Sequence, residues 1–290
     1  HEAAIGATHY DTLGEAITAA NQSTETTVTV TLLKNVSVTL QSNSHTTGAY
    51  TITKNGVTID GGSNSYKITA TAGTASGSNY QHIFIIQANN VTISNLEIDG
   101  SDIARSGIQA YGNVEKLTLS NVTSSNNYGY GVLVNNGASV IANNLDAHEN
   151  GWGGVNVEAQ NTESKFTMNG GNLTNNGAEN VISVVLDSDQ GGTNTVVLNG
   201  GTYNTVMTNT PDGSTPRSEG TNKITISDAN VTTLSLNGSG TDKVTVDDGS
   251  TIGTISSTNS NNTKPVVTVN DSTVTNPINI KNDITFIANN

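Results

Sequence analysis

One arginine, two tyrosines and the single tryptophan of this chain fall at or beside equivalent positions of three glycine-led segments. Counting back three residues from the apolar residue after each glycine gives Arg105, Gly129 and Trp152, with Tyr128 and Tyr130 beside the middle one. Aromatic faces stack on sugar rings, and a planar guanidinium binds a carboxylate through two parallel hydrogen bonds. These residue types predict a site for an acidic carbohydrate; the alternative is that the rings close a corner of the core. The three segments are Gly107-Ile108, Gly131-Val132 and Gly154-Val155.

Two carboxylates that precede Arg105, those of Asp99 and Asp102, are the candidates for catalysis. A pair of carboxyl groups can serve as the acid and the nucleophile or base of a glycosidase. Calcium prefers about six to eight oxygen ligands, and no third carboxylate is spaced to join these two. A solvated Asp99-Gly100 turn is the better explanation of the pair, and we therefore predict no catalytic residues, no bound metal and no cofactor.

The charge of the chain limits its partners. Eleven Lys and Arg residues against 24 Asp and Glu give a net charge of −13, which excludes nucleic acid because phosphate binding needs a basic surface. The same charge opposes an anionic bilayer, and no apolar segment is long enough to insert into a membrane. Since positive charges are few, Lys116, in a coil next to Arg105, and Arg217, in a proline- and glycine-bearing insertion, join the predicted binding residues.

The elements that must position these residues repeat along the chain. A phrase of two apolar residues around a central residue, usually Thr, returns eight times at intervals of 20 to 30 residues. A further apolar residue follows three residues after the early phrases, as at Leu96, and five after the later ones, as at Leu173, so the corner changes type midway. The phrases begin at Val91, Leu117, Val140, Phe166, Val196, Ile224, Val244 and Val267.

This repeat determines the predicted fold class. Each phrase has the period of two that is typical of a strand with one buried face, and Asn, Gly and Ser bends separate successive strands. A β-sandwich would have strands about every 8 to 12 residues, without a repeated phrase. Parallel crossovers are almost always right-handed. We therefore predict an all-β protein, a right-handed parallel β-helix, that forms one domain over residues 1–290.

The N-terminal segment predicts a cap for the solenoid. Thr12-Leu13-Gly14-Glu15 is a capping box, and Leu13, Ile17 and Ala20 then fall on one face of a helix that ends near Ala20. A solenoid has open strand edges that invite aggregation unless they are covered. We therefore assign residues 1–22 to a cap over the first coil and residues 23–290 to the coils.

Residues 5–17 (IGATHYDTLGEAI) and 30–36 (VTLLKNV) carry a resemblance to a known family. They resemble the opening of pectate-lyase-like β-helix modules in surface proteins of Gram-positive bacteria. In length and in its acidic, Asn/Thr/Ser-rich composition, the chain is most similar to the β-solenoid binding region of serine-rich repeat adhesins of gut lactobacilli. Of the segments typical of polygalacturonases with the same fold, only Asp247-Asp248 is present.

The resemblance implies a secreted protein of the bacterial cell surface or cell wall, which attaches to host mucus glycoproteins or to an acidic polysaccharide such as pectin. We expect tighter binding at low pH, where surface carboxylates are neutralised, and no enzymatic activity. The alternatives are a pectate-lyase-like lyase or glycosidase and a structural stalk. The predicted ligand-binding residues are Arg105, Lys116, Tyr128, Tyr130, Trp152 and Arg217.

Overall fold

The computed structural model describes residues 1–41, 46–72, 81–189, 191–208, 219–257, 265–280 and 283–289. Its strands form stacked coils that are joined by parallel pairing, so the protein is a β-solenoid, a parallel β-helix, as predicted. Each complete coil has strand segments on three faces, which we name A, B and C in chain order.

The N-terminal cap contains the predicted helix and a hairpin. The capping box is present: the Thr12 hydroxyl accepts from the Glu15 amide at 3.2 Å, and the Glu15 carboxylate accepts from the Thr12 amide at 3.1 Å. Leu13, Ile17 and Ala20 are buried against the first coil. A short antiparallel hairpin, which the sequence did not predict, extends face A. The elements are β1 (Ala3–Ile5), β2 (Thr8–Tyr10) and α1 (Leu13–Gln22).

Face A carries the repeated apolar phrase. Val91, Leu117 and Val140 are register neighbours in one column that continues to Val267. All eight predicted members are at most 2% exposed, which confirms the interior column. The strands are β3 (Val28–Leu32), β6 (Val57–Asp60), β9 (Val91–Asp99), β11 (Leu117–Ser125), β13 (Ser139–His148), β15 (Glu163–Leu173), β17 (Thr193–Asn199), β19 (Thr221–Ser227), β21 (Thr241–Asp247), β23 (Val266–Asn270) and β26 (Thr285–Asn289).

Faces B and C complete the coils. On face B, the distal parts of β9, β11 and β13 follow β4 (Val36–Leu40) and β7 (Lys67–Ala72), and β24 (Thr273–Val274) ends the stack. Face C contains β5 (Gly48–Ile52), β8 (His82–Ile86), β10 (Ser106–Tyr111), β12 (Tyr130–Asn135), β14 (Gly153–Gln160), β16 (Ile182–Asp189) and β25 (Asn279–Ile280). Three later strands cross both faces: β18 (Thr202–Thr208), β20 (Asn230–Leu236) and β22 (Thr251–Ser257). A 3₁₀ helix, Ala178–Asn180, precedes β16.

The corner between faces A and B changes along the chain, as predicted. In the early coils one asparagine with positive φ makes the bend: Asn95, Asn121 and Asn144 have φ of 51°, 53° and 58°. Their amides form a ladder, with Nδ2 to Oδ1 distances of 3.2 and 3.0 Å. The bend changes at Gly171, whose φ is 111° and where a Cβ atom would lie 2.2 Å from the Leu145 carbonyl oxygen. Only glycine fits this close approach.

A buried asparagine ladder forms the corner between faces B and C in the middle coils. Asn127, Asn150 and Asn176 are at most 1% exposed. Asn127 Nδ2 donates to Asn150 Oδ1 at 2.7 Å, and Asn150 Nδ2 donates to Asn176 Oδ1 at 2.9 Å. The side-chain oxygens also accept from the backbone amides of the preceding coil, at 3.0 and 3.1 Å. This ladder fixes the corner from which the glycine-led strands of face C begin.

Candidate functional site

The structure brings Arg105 and Trp152 into contact although they lie two coils apart. They directly precede β10 and β14, and the Arg105 Cζ atom lies 4.2 Å from the Trp152 ring centroid, within the range of a cation–π interaction. Gly129 occupies the intervening coil. A Cβ atom there would lie 3.1 Å from Trp152 Cε3 and 2.3 Å from the Arg105 carbonyl oxygen. The contact therefore depends on the missing side chain at position 129.

The two predicted tyrosines also meet the indole, but they have different roles. The rings of Tyr128 and Tyr130 contact Trp152 edge-on, at centroid distances of 5.5 and 5.7 Å. Tyr130 is 6% exposed and packs on an apolar cluster outside the main core, which includes Leu133 and Val185. Tyr130 therefore has a structural role, because it packs between this cluster and Trp152. Tyr128 is 37% exposed and is accessible to a ligand.

The guanidinium of Arg105 is available to bind an anion. Partial burial lowers its pKa, while Tyr128, Tyr130 and Glu158 act in the opposite direction. The guanidinium remains charged because the ordinary pKa of arginine lies far above neutral pH. Within the described residues its guanidinium donates no hydrogen bond and forms no salt bridge. The side chain thus holds a full positive charge and five donors beside an aromatic platform.

A groove of about 450 Å³ runs along the outer side of face C from Arg105. Tyr111, at the far end of β10, is 45% exposed. The Glu158 carboxylate accepts hydrogen bonds from the Asn135 and Gln160 side-chain amides, each at 2.9 Å. The wall also contains buried His82, whose Nδ1 lies 2.5 Å from the Ser106 hydroxyl. The lining includes Thr46, His82, Ile85, Gln87, Arg105, Gln109, Tyr111, Leu133, Asn135, Asn136 and Glu158.

The sequence analysis did not predict the far end of this groove. Tyr111, Asn135 and Glu158 are register neighbours on successive strands of face C. Each stands three residues after the apolar residue that follows the segment's glycine. The alignment that located Arg105 and Trp152 by counting backward would have located these three by counting forward.

Of the other two predicted binding residues, the structure describes only Lys116. Lys116 is exposed at the corner before β11, with the whole of β10 between it and Arg105, and it lines neither the groove nor the pocket beside Trp152. Arg217 lies outside the described residues. The structure therefore assembles four of the six predicted residues: Arg105, Tyr128, Tyr130 and Trp152.

The two carboxylates considered for catalysis lie in different environments. Asp99 binds Lys67 Nζ at 3.2 Å and accepts hydrogen bonds from the Ser101 amide and the Asn126 side chain. Asp102 is exposed on a bend with a φ of 59°. Among the described residues there is no cluster of three or more side chains suited to hold a metal ion.

Comparison of the chain with protein-family models, with curated proteins and with solved structures finds no match. The part of the predicted resemblance that the structure supports is the fold, a β-solenoid compatible with a parallel β-helix. None of the described helices has the length and hydrophobicity needed to cross a membrane.

Proposed function

We propose that the protein binds acidic carbohydrate in the face C groove, as the binding region of a bacterial surface adhesin. The observation that carries this proposal is the Arg105 guanidinium, which stacks on Trp152 at 4.2 Å and forms no salt bridge within the described part of the chain. An oriented guanidinium fork matches the geometry of a carboxylate. Uronic and sialic acids combine a carboxylate with a sugar ring, so they use both the arginine and the nearby aromatic faces.

The other residues that line the groove are suited to a polar ligand. Gln109, Asn135 and Asn136 offer amide groups along its wall, and Tyr111 offers an exposed ring at its far end. A few oriented polar groups and an aromatic surface are the usual composition of a site for a small ligand. Host mucus glycoproteins and pectin are the proposed partners, and the bacterial cell surface is the proposed location.

Binding should strengthen on acidification. The net charge of −13 repels a polyanion at pH 7, and ordinary Asp and Glu side chains are neutralised as the pH approaches about 4. Arginine stays charged throughout this range, so the local field at Arg105 becomes more positive. Added salt should weaken binding because the contacts are partly exposed and therefore screened.

The experiment measures retention of the protein on immobilised polygalacturonate and on sialylated mucin at pH 4 and pH 7. Arg105→Ala should lower the affinity at least about tenfold, because a hydrogen bond to a charged group contributes about 1.5 to 3 kcal/mol. Arg105→Lys keeps the charge without the planar fork and should recover only part of the loss. Trp152→Ala should weaken binding as well, because it removes the platform that orients the guanidinium.

Lys165→Ala is the matched control. It removes one positive charge from face A, where Lys165 pairs with Glu163 at 3.0 Å, and should leave retention unchanged. Lys116→Ala and Arg217→Ala test whether the site extends to the other two predicted cations. If Arg105→Ala and Trp152→Ala bind like the parent protein at both pH values, the proposed site is wrong.

A further inference from the structure

A second cavity adjoins the groove at the corner between faces B and C. It has a volume of about 390 Å³, and both Tyr128 and Trp152 line it. Arg105, which stacks on Trp152, lines the groove on face C. The corner pocket and the groove are thus neighbours, and the Arg105–Trp152 contact joins them.

The charged groups that line the corner pocket are all carboxylates, whereas the groove also contains the Arg105 guanidinium. Asp102 and Glu149 line the pocket, are exposed, and form no ion pair with any residue that the structure describes. The remaining lining is asparagine, glycine and aromatic, with no lysine or arginine among the described lining residues. Such a pocket offers hydrogen-bond acceptors to a neutral, hydroxyl-bearing ligand and repels an anion.

The aromatic and amide parts of the pocket suit a sugar ring. The exposed ring of Tyr128 stands edge-on to Trp152, which fixes its orientation. The buried amides of Asn127 and Asn150 form the floor and are held by the ladder bond of 2.7 Å. A rigid site with an aromatic wall and carboxylate acceptors is preorganised for the apolar face and the hydroxyl groups of a neutral sugar.

We propose that the corner pocket is a second subsite, which binds a neutral sugar bonded to the acidic sugar held by Arg105. The acidic half of this inference rests on the proposed function, whereas the neutral half rests on Asp102, Glu149 and Tyr128. The preferred ligand is therefore an oligosaccharide that contains both kinds of sugar. A chain of acidic sugars alone would place a carboxylate against Asp102 and Glu149, where like charges repel.

The test compares three soluble probes by calorimetry and by saturation-transfer NMR at pH 7: lactose, 3′-sialyllactose and trigalacturonate. The parent protein should bind 3′-sialyllactose more tightly than either of the others. The double variant Asp102→Asn, Glu149→Gln should bind 3′-sialyllactose about fivefold more weakly, because hydrogen bonds to ionised acceptors are about twice as strong as neutral ones. The same variant should bind trigalacturonate more tightly, because the repulsion is removed.

Glu115→Gln is the matched control, because it removes an exposed carboxylate before β11 and lines neither cavity. It should leave the order of the three affinities unchanged. Opposite shifts for 3′-sialyllactose and trigalacturonate support the second subsite. Equal shifts for both probes, no shift for either, or no binding of lactose and 3′-sialyllactose to the parent at millimolar concentration would overturn it.

Arg105→Ala separates this inference from the proposed function. It should weaken both acidic probes and leave the lactose signal of the parent intact. If Arg105→Ala changes nothing while the carboxylate variant still weakens 3′-sialyllactose, the proposed acidic site fails and the neutral subsite stands. If Arg105→Ala weakens both acidic probes and the carboxylate variant has no effect, the neutral subsite fails and the proposed function stands.

Discussion

The buried asparagine ladder should be a large local contribution to stability, and Asn150→Ala measures it. The substitution removes four hydrogen bonds of the Asn150 side chain, two with Asn127, one with the Ser124 carbonyl and one with Asn176. The Asn127 backbone N–H group and the Ser124 carbonyl, both in the interior, then each lose a hydrogen-bond partner. At about 1 to 3 kcal/mol for each buried group that loses its partner, the expected loss is about 2 to 6 kcal/mol.

The matched control is an asparagine ladder that is exposed to solvent. Asn169 is exposed on face A and makes two comparable side-chain bonds, to Asn143 at 2.8 Å and from Asn199 at 2.9 Å. Water replaces these partners when the side chain is removed. Asn169→Ala should therefore cost about 0.5 kcal/mol or less, as surface substitutions usually do.

Trp152 fluorescence can report the unfolding of the coil that contains Asn150. It is the only tryptophan of the chain and stands two residues after Asn150, so its fluorescence reports on the coil that the substitution weakens. In a solenoid each coil contacts only its neighbours, and unfolding can therefore be confined to part of the chain. Urea titrations followed by Trp152 fluorescence should show a much earlier transition for Asn150→Ala than for Asn169→Ala. Equal midpoints for the two variants would refute the argument that burial gives the ladder its strength.

Three further predictions concern the core, the site and catalysis. Desolvation raises the pKa of buried Asp242, against the opposing effect of hydrogen bonds from Asn222 and Thr208. The parent should therefore gain stability relative to Asp242→Asn as the pH falls through the raised pKa, which urea midpoints of both proteins at several pH values measure; a difference that does not change with pH would contradict this. Gly129→Ala should separate Arg105 from Trp152, shift the tryptophan emission and reduce glycan retention, whereas an unchanged spectrum would contradict the close approach. Polygalacturonate should yield no unsaturated products with or without calcium; a calcium-dependent rise in absorbance that Asp99→Ala abolishes would instead favour a lyase.

The sequence was sufficient to predict the repeat because side-chain period and corner residues are local properties. Val91 and its seven counterparts follow one phrase, and the column that they form is confirmed. Val28 and Val57 continue it in the first coils, where they pair in register. Their phrases have the same form, but the 34 residues from Val57 to Val91 exceed the intervals between the other phrases. The strands of the N-terminal hairpin, three residues each, are too short to show a period at all.

Side-chain direction was the part of the site that the sequence could not supply. The register placed Arg105 and Trp152 about 10 Å apart on the backbone, two coils at strand spacing. Their contact at 4.2 Å depends on rotamers and on the space above Gly129, which no spacing rule describes. Tyr128 is accessible and Tyr130 is buried. This difference in exposure also could not be predicted, because it depends on the outer apolar cluster, to which coils distant in sequence contribute.

Face C separates the residues that hold the coils together from those that meet the groove. Along β10 and β12, Ile108 and Val132 point into the core, while their chain neighbours Gln109 and Leu133 line the groove. One outward residue can therefore change in each coil, at steps of about 4.8 Å, without altering the interior column. The outward surface of such a protein can diverge by substitution at single positions, and selection for a new surface need not conflict with selection for folding.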